Sequence, residues 1–311
     1  MQAVVFGEAM LEVSTLSTSG GLRYGGDTLN TAVHLARLGW SVQFVTALGR
    51  DAFSDALCQA WAGQGVDTRH VLRHAERQPG IYAIHNDETG ERSFLYWRGA
   101  SAAREMFSQA GIEDALESAA SADLMYFSLI SLAILPPEAR QRLLDLAARR
   151  RTENRPVAYD ANYRPALWSS PEEARDWSNR ACACADIGLP TLSDEQALHA
   201  ENFEADVLAR RWNQFGCGEV AVKQGADGCT VLEGEAIQQI APAHGVRVID
   251  ASGAGDAFNA GYLAGRLQSA SVWRSVRSGH AVAEWVIGRA GALPDIDPAA
   301  PYAEIRQSLS A

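Results

Sequence analysis

Lysine is almost missing from this 311-residue chain: Lys223 stands alone against 26 arginines. A codon bias toward arginine accounts for part of that imbalance, and a lysine that survives it points to a task of its own. No Gly-Lys-Ser or Gly-Lys-Thr occurs, so there is no Walker loop. No Gly-x-Gly-x-x-Gly follows the first apolar stretch, which disfavours a dinucleotide-dependent dehydrogenase. Positive charge is in deficit as well, with a net charge of -11 and a pI near 5.1. A nucleic-acid binder needs a basic surface, so that class is set aside, whereas ATP needs only one locally positive pocket. The five cysteines, Cys58, Cys182, Cys184, Cys217 and Cys229, are odd in number and do not form a disulfide framework. Cys182-Ala-Cys184 has the wrong spacing for a zinc knuckle. The longest apolar stretch, around Met125 to Leu135, contains serines and is too short to span a bilayer. The opening MQAVVFGEAM has neither a basic start nor a small-residue cleavage site, so a cytoplasmic protein without membrane partners is expected.

What is present is alternation. Ala3 to Gly7 reads as a buried strand, Thr28 to Leu38 as an amphipathic helix stopped by Gly39, Val42 to Leu48 as a strand, and 51 to 62 as a helix. Such βαβα order implies right-handed crossovers and a parallel sheet. The order breaks where Ile81 to Asn86, a turn at 87–90, and Glu91 to Trp97 read as a hairpin. Leu11 to Ser14 and Leu22 to Tyr24, around a Ser/Gly turn, have the same look. Two separate pieces of antiparallel character predict a small discontinuous sheet beside the main one. The alternation then resumes. Strands are expected at Asp123 to Phe127, Val157 to Asp160, Ile187 to Leu189, Glu219 to Lys223 and Val246 to Ile249. Helices are expected at Pro137 to Arg150, Ala257 to Leu267 and Trp273 to Val286, and Gly-rich turns after Lys223. The expectation is one α/β unit over residues 1–311, with a lid inserted as about 11–25 and 76–100.

Two motifs carry chemistry. The first is Asp250-Ala251-Ser252-Gly253-Ala254-Gly255-Asp256, at the mouth of an apolar helix. Small residues admit close backbone approach, and free N–H groups at a helix start favour anions, so Gly253, Ala254 and Gly255 suit an anion hole. Asp256 beside such a hole suits the general base that accepts the proton of an attacking hydroxyl. The same residues also fit an ordinary helix cap. The second is Tyr24-Gly25-Gly26-Asp27-Thr28-Leu29-Asn30-Thr31-Ala32, where Asp27 and Asn30 offer polar groups and where capping by Asp27 or Thr28 is again an alternative.

Together these segments resemble the two signature motifs of the ribokinase-like (PfkB) sugar kinase family, at the family's usual ends of the chain. The second signature differs only at Ala251, where the family has Thr. The resemblance implies a ribokinase-like three-layer α/β sandwich with a mostly parallel central sheet and a small discontinuous β-sheet lid. It implies Asp256 as base, the hole at Gly253–Gly255, and substrate contact at Gly26, Asp27 and Asn30. Gly26 to Thr31, Thr89 to Arg98, Ser131 to Leu135 and Asp160 to Trp168 are similar to the forms seen in 2-keto-3-deoxygluconate kinases. That likeness implies Tyr96, Arg98, Asn162 and Arg164 as substrate contacts, with Arg98 and Arg164 holding the carboxylate end and Asn162 and Arg164 also facing the nucleotide.

The residues agree with a sugar-acid substrate on their own chemistry, since arginine recognises carboxylates bidentately. Period-two alternation puts Phe94, Tyr96 and Arg98 on one face of the hairpin, and a turn near 89 sets Tyr82 across from Tyr96. Val222 to Gly228 resembles the family's Lys-x-Gly-x-x-Gly turn, which implies Lys223, Gly225, Ala226, Asp227 and Gly228 beside the ATP phosphates, although Asp-Gly is also a plain hairpin signal. Mg²⁺ is expected because phosphoryl transfer needs charge neutralised between phosphates. The family's Asn-x-x-Glu near the metal is altered to Thr191-Leu192-Ser193-Asp194-Glu195, leaving Glu195 and Asp194 as the candidate ligands. The resulting expectation is ATP-dependent phosphorylation of 2-keto-3-deoxygluconate, by a homodimer joined through its lid. A kinase for a neutral ketose such as fructose, or a non-catalytic nucleotide-binding regulator on the same fold, are the alternatives.

Overall fold

The computed structural model describes residues 1–14, 22–86, 92–242 and 246–310. Its strands are β1 (Gln2–Phe6), β2 (Met10–Ser14), β3 (Tyr24–Gly25), β4 (Ser41–Leu48), β5 (Val66–Asp67), β6 (Val71–Arg73) and β7 (Gly80–Asn86). These are followed by β8 (Arg92–Trp97), β9 (Leu124–Ser128), β10 (Val157–Asp160), β11 (Ile187–Gly188), β12 (Glu219–Lys223), β13 (Cys229–Glu233) and β14 (Ala236–Ile240). The helices are α1 (Asp27–Arg37), α2 (Ala52–Gly63), α3 (Ile112–Ser121), α4 (Leu129–Ile134), α5 (Pro137–Thr152) and α6 (Pro171–Cys184). Then come α7 (Leu192–His199), α8 (Ala205–Gln214), α9 (Ala254–Arg266), α10 (Val272–Ile287) and α11 (Tyr302–Ser310).

The central sheet runs β14-β13-β12-β11-β10-β9-β1-β4-β5, with β6 also on β4. Every pairing is parallel except those of β13 with β12 and β14. Both faces are apolar, and the strands alternate between them. Val4 and Phe6 of β1 and Met125 and Phe127 of β9 join one core, under α3, α4, α5, α6 and α8. Ala3, Val5, Leu124 and Tyr126 join the other, under α1, α2, α9, α10 and α11. Two helical layers around a sheet buried on both faces explain why its strands read as unbroken hydrophobic runs.

The chain leaves β1 toward β4 on one side and later returns to β9 on the other. That reversal opens a crevice at the carboxyl ends of β1 and β9, where an open α/β sheet binds its ligand. Over it lies the second sheet, ordered β3-β2-β7-β8. β2 pairs antiparallel with β3 and parallel with β7, and β7 pairs antiparallel with β8. The turns expected at 15–21 and 87–90 and the Thr89–Glu91 part of the family-like segment lie outside the described residues.

Two sequence expectations change. Val246 to Ile249 is not a strand: the N–H groups of Ile249 and Asp250 both donate to the carbonyl of Ile287, at the end of α10. A helix end holds carbonyls that need donors, and it takes this segment in place of a sheet edge. The region after Lys223 is not only turns, because β13 and β14 extend the sheet with antiparallel edge strands.

Candidate active site

The crevice is a cleft of about 860 Å³ lined from every layer: Glu8 after β1, Gly26 and Asp27 before and in α1, Tyr82, Tyr96 and Arg98 from the small sheet, Asp160 and Lys223 at strand ends, and Gly253 to Asp256 at the start of α9. Asp256 is the third residue of α9 and does not cap it. The N-cap is Gly253, with φ +70°, and no side chain makes a capping hydrogen bond. Asp256 Oδ2 accepts from Asn30 Nδ2 at 2.8 Å instead. Burial lifts the Asp256 pKa to about 8, with the charges of Asp27 and Asp160 adding to the rise and Asn30 and Lys223 opposing it. A Cβ at Gly253 would meet that of Ala292 at 2.5 Å, so only glycine fits this left-handed turn. The amide N–H groups of Gly253 and Gly255 have no partner among the described residues, as an anion site at a helix start requires. Asp250 fixes the loop by accepting from Ser252 N at 2.9 Å and Gly291 N at 2.7 Å.

The first motif closes the other side. Gly26 is pressed so tightly on β1's exit that a Cβ would lie 2.2 Å from the Glu8 carbonyl oxygen. Neither Asp27 nor Thr28 caps α1. Asp27 Oδ2 accepts from Asn162 Nδ2 at 3.0 Å, and desolvation raises its pKa. Asn30 is buried, and its Oδ1 has no partner among the described residues.

On the small sheet Tyr82 stands directly across from Tyr96, with ring centroids 6.2 Å apart, and Phe94 stacks on Tyr96 at 6.3 Å. The Tyr82 hydroxyl donates to Glu12, which also holds Arg23. Arg98 is not a solvated edge charge. Its side chain is buried, with Nε donating to Glu8 Oε2 at 2.7 Å and Nη2 on the same oxygen, while Ser101 Oγ donates to Glu8 Oε1. Arg164 is half exposed, with Nη1 on the Tyr163 carbonyl at 2.6 Å and on Asp194 Oδ2 at 3.3 Å.

Lys223 reaches inward. Its Nζ lies 3.0 Å from both Asp160 Oδ1 and Asn259 Oδ1, and Asn259 Nδ2 returns to Asp160 Oδ2 and the Tyr126 hydroxyl. A Cβ at Gly255 would stand 3.6 Å from that ammonium, so the lone lysine lies under the start of α9. Gly225, Ala226 and Asp227 form an exposed hairpin turn and Gly228 is buried at its end, none of them lining this cleft. The plain turn geometry explains why: Lys223 and Cys229 are cross-strand partners, and a Cβ at Gly228 would meet the Ile240 carbonyl at 2.3 Å.

Of the two acids expected near a metal, only Asp194 reaches the cleft. Glu195, one residue on, faces the core. Trp212 Nε1 donates to its Oε2 at 3.0 Å, its Oε1 has no partner, and burial lifts its pKa to about 7. Successive positions of a helix point about 100° apart, so a pair of neighbouring acids cannot share one site. Glu8, Arg104, Asp160 and Asn259 were not singled out from the sequence. Asp160 ends β10 and Glu8 lies two residues past β1, both at the carboxyl edge of the parallel sheet, which was the available signal.

A model of the pfkB family of carbohydrate kinases matches residues 2–299. Among curated proteins, 2-dehydro-3-deoxygluconokinase of Escherichia coli is 42% identical over 297 residues, covering 93% of this chain and 96% of that protein. The enzyme of the same name from Dickeya dadantii is 40% identical, covering 93% and 95%. A crystal structure of a PfkB protein from Polaromonas is 27% identical with a TM-score of 0.82, covering 98% of each chain.

Proposed function

This chain belongs to the pfkB family of carbohydrate kinases, and we propose that it transfers the γ-phosphate of ATP to the terminal hydroxyl of 2-keto-3-deoxy-D-gluconate, giving 2-keto-3-deoxy-6-phosphogluconate. The observation that carries the reaction is the buried Asp256 carboxyl, set beside free backbone N–H groups and tied to the first motif through Asn30. The substrate follows from the arginine-lined cleft and from relatives at 40–42% identity that bear the 2-dehydro-3-deoxygluconokinase name.

In the proposed step the substrate's C6 hydroxyl oxygen bonds to the γ-phosphorus as the bond to the bridging oxygen of the departing ADP breaks. The hydroxyl proton passes to Asp256. A carboxylate whose pKa lies near 8 is a far stronger base than an ordinary aspartate, and the ionised fraction is the working form. Gly253 and Gly255 N–H groups face the charge that develops on the transferring group. Asn30 orients Asp256, Asn162 steadies Asp27, and Gly26 lets the sugar approach the backbone. Tyr82 and Tyr96 cover the ligand and exclude water. Arg98 and Arg164 both line the cleft, and Arg164, paired with Asp194, serves phosphate as well. Mg²⁺, which takes one or two carboxylates plus phosphate oxygens, would be held by Asp194 and would neutralise phosphate charge.

We also propose a homodimer joined through the small sheet. Leu11, Ile81 and Trp97 form one cross-strand row and Val13, Ala83 and Leu95 the next, on the face opposite Tyr82 and Tyr96. Trp97, Leu95 and Val13 are 60%, 59% and 55% exposed, an apolar surface that a second copy would cover. A cytoplasmic location fits such a kinase, and no helix among the described residues is long and apolar enough to cross a membrane.

ADP release with Mg-ATP tests the reaction against 2-keto-3-deoxygluconate, its C4 epimer, fructose and ribose. Selective turnover of the sugar acid is expected. Preference for fructose would keep the kinase and remove the sugar-acid assignment.

A further inference from the structure

Three guanidinium groups line the cleft, those of Arg98, Arg104 and Arg164, and they are not equivalent. Arg98 is spent on Glu8 through Nε and Nη2. Arg164 holds the Tyr163 carbonyl and Asp194. Arg104 lies in the seven-residue 3₁₀ segment Ala102–Ser108 that follows Arg98 and Ser101. Its side chain makes no hydrogen bond or ion pair among the described residues, and its backbone N–H donates to the Ser101 carbonyl. Glu8, whose charge favours Arg104, is held by Arg98 and Ser101 and makes no hydrogen bond or ion pair with it.

The protein thus keeps a partly buried cation at the cleft wall and surrounds it with more cations. Burial lowers the Arg104 pKa first of all; Glu8 opposes that fall, and Arg98, Arg140 and Arg77 add to it. A partly desolvated charge with its counter-ions taken elsewhere is unfavourable unless a ligand supplies the missing anion. A bidentate carboxylate matches a free guanidinium fork, whereas it would have to compete with Glu8 for Arg98.

We propose that Arg104 is the specificity-determining residue that pairs with the C1 carboxylate of the substrate, and that Arg98 acts mainly as a wall neutralised by Glu8. This assignment rests on the sugar-acid reading above. It places the carboxylate under the small sheet, against the segment that joins the sheet to the main layer, and leaves Arg164 to the phosphate side.

The test compares wild type with Arg104→Met and Arg104→Lys on two acceptors. One is 2-keto-3-deoxygluconate; the other is the same sugar with its carboxylate replaced by a hydroxymethyl group. In Arg104→Met the ratio of kcat/KM for the acid to that for the neutral analogue should fall by about 10- to 100-fold, the range of a charged hydrogen-bonded pair. The loss should appear mainly in KM, because a remote carboxylate is held alike before and during transfer. Arg104→Lys should regain part of the ratio. An unchanged ratio, with both acceptors losing equally, would assign Arg104 a structural role and overturn the inference. Wild-type enzyme that turns over the neutral analogue as well as the acid would overturn the sugar-acid reading itself, and the inference with it.

Discussion

Asn30 Nδ2 lies 2.8 Å from Asp256 Oδ2, a buried hydrogen bond between residues 226 positions apart. It joins the two motifs side chain to side chain, beside the Thr31 hydroxyl that donates to the Asp256 carbonyl at 3.3 Å, and it favours the ionised carboxylate against burial and the charge of Asp27. A base must be ionised to accept a proton, so kcat/KM should climb with pH and level off above about 8. Asn30→Ala removes the donor and should move that rise to higher pH. A profile that stays in place would mean that Asn30 does not tune the base.

Asp256→Asn should lower kcat by about 10²–10⁴-fold while leaving ATP binding measurable by titration. The same variant has a stability signature. The folded protein keeps the Asp256 proton up to about pH 8, whereas the unfolded chain releases it near 3.8. The folded state therefore binds the extra proton between those limits, and this group draws stability down as pH rises from about 4 to about 8. Asn has no proton to lose, so the variant should melt higher than wild type at pH 8, by about 2–4 °C per kcal/mol relieved, with the gap closing toward pH 4. Equal melting curves at pH 8 would argue against a buried carboxyl with a raised pKa.

Gly253 and Gly255 should separate folding from function. Gly253→Ala meets both a left-handed φ of +70° and the Cβ of Ala292, and should cost more than about 1 kcal/mol in stability. Gly255→Ala has ordinary backbone angles and only Lys223 Nζ nearby, at 3.6 Å. Its melting temperature should stay within a few degrees of wild type while its turnover falls, since the new methyl group narrows the anion hole. Thermal melts and kcat on the two proteins decide the matter.

The two neighbouring acids of α7 should respond differently to magnesium. Asp194→Asn should raise the Mg²⁺ concentration needed for half-maximal rate, because Asp194 alone of the pair reaches the cleft. Glu195→Gln should leave that concentration unchanged, since its carboxyl is enclosed against Trp212. A larger magnesium effect from Glu195 than from Asp194 would reverse their assignment.

Alternating strands and helices were legible because a sheet buried on both faces writes short, uniform apolar runs. The hairpin register that sets Tyr82 against Tyr96 followed from counting back from the turn, and the structure has that pairing. The failures have a common cause. Val246 to Ile249 has strand composition, but whether a β-branched run finds a sheet edge or a helix end depends on partners distant in sequence. The helices α6, α7 and α8 were missed, and with them the direction that Asp194 and Glu195 face. Lys223 was noticed for its solitude and expected beside phosphate; it lines the cleft, and its partners Asp160 and Asn259 were not legible in the spacing. The commitment of Arg98 to Glu8, and the freedom of Arg104, depend on which side chains converge in space, a property no spacing rule contains.

The pairing of β2 with β7 carries a consequence for how the molecule is made. These strands lie parallel with α1, β4 and α2 between them in the chain, so their contact closes a long loop and must be late in folding. The anion hole and Asp256 arrive later still and together, on a helix far toward the other terminus, so during synthesis the small sheet and the arginine wall can be in place before the groups proposed to receive phosphate and proton have left the ribosome. A partly made chain would thus bear the sugar-acid side of the cleft without its phosphoryl side.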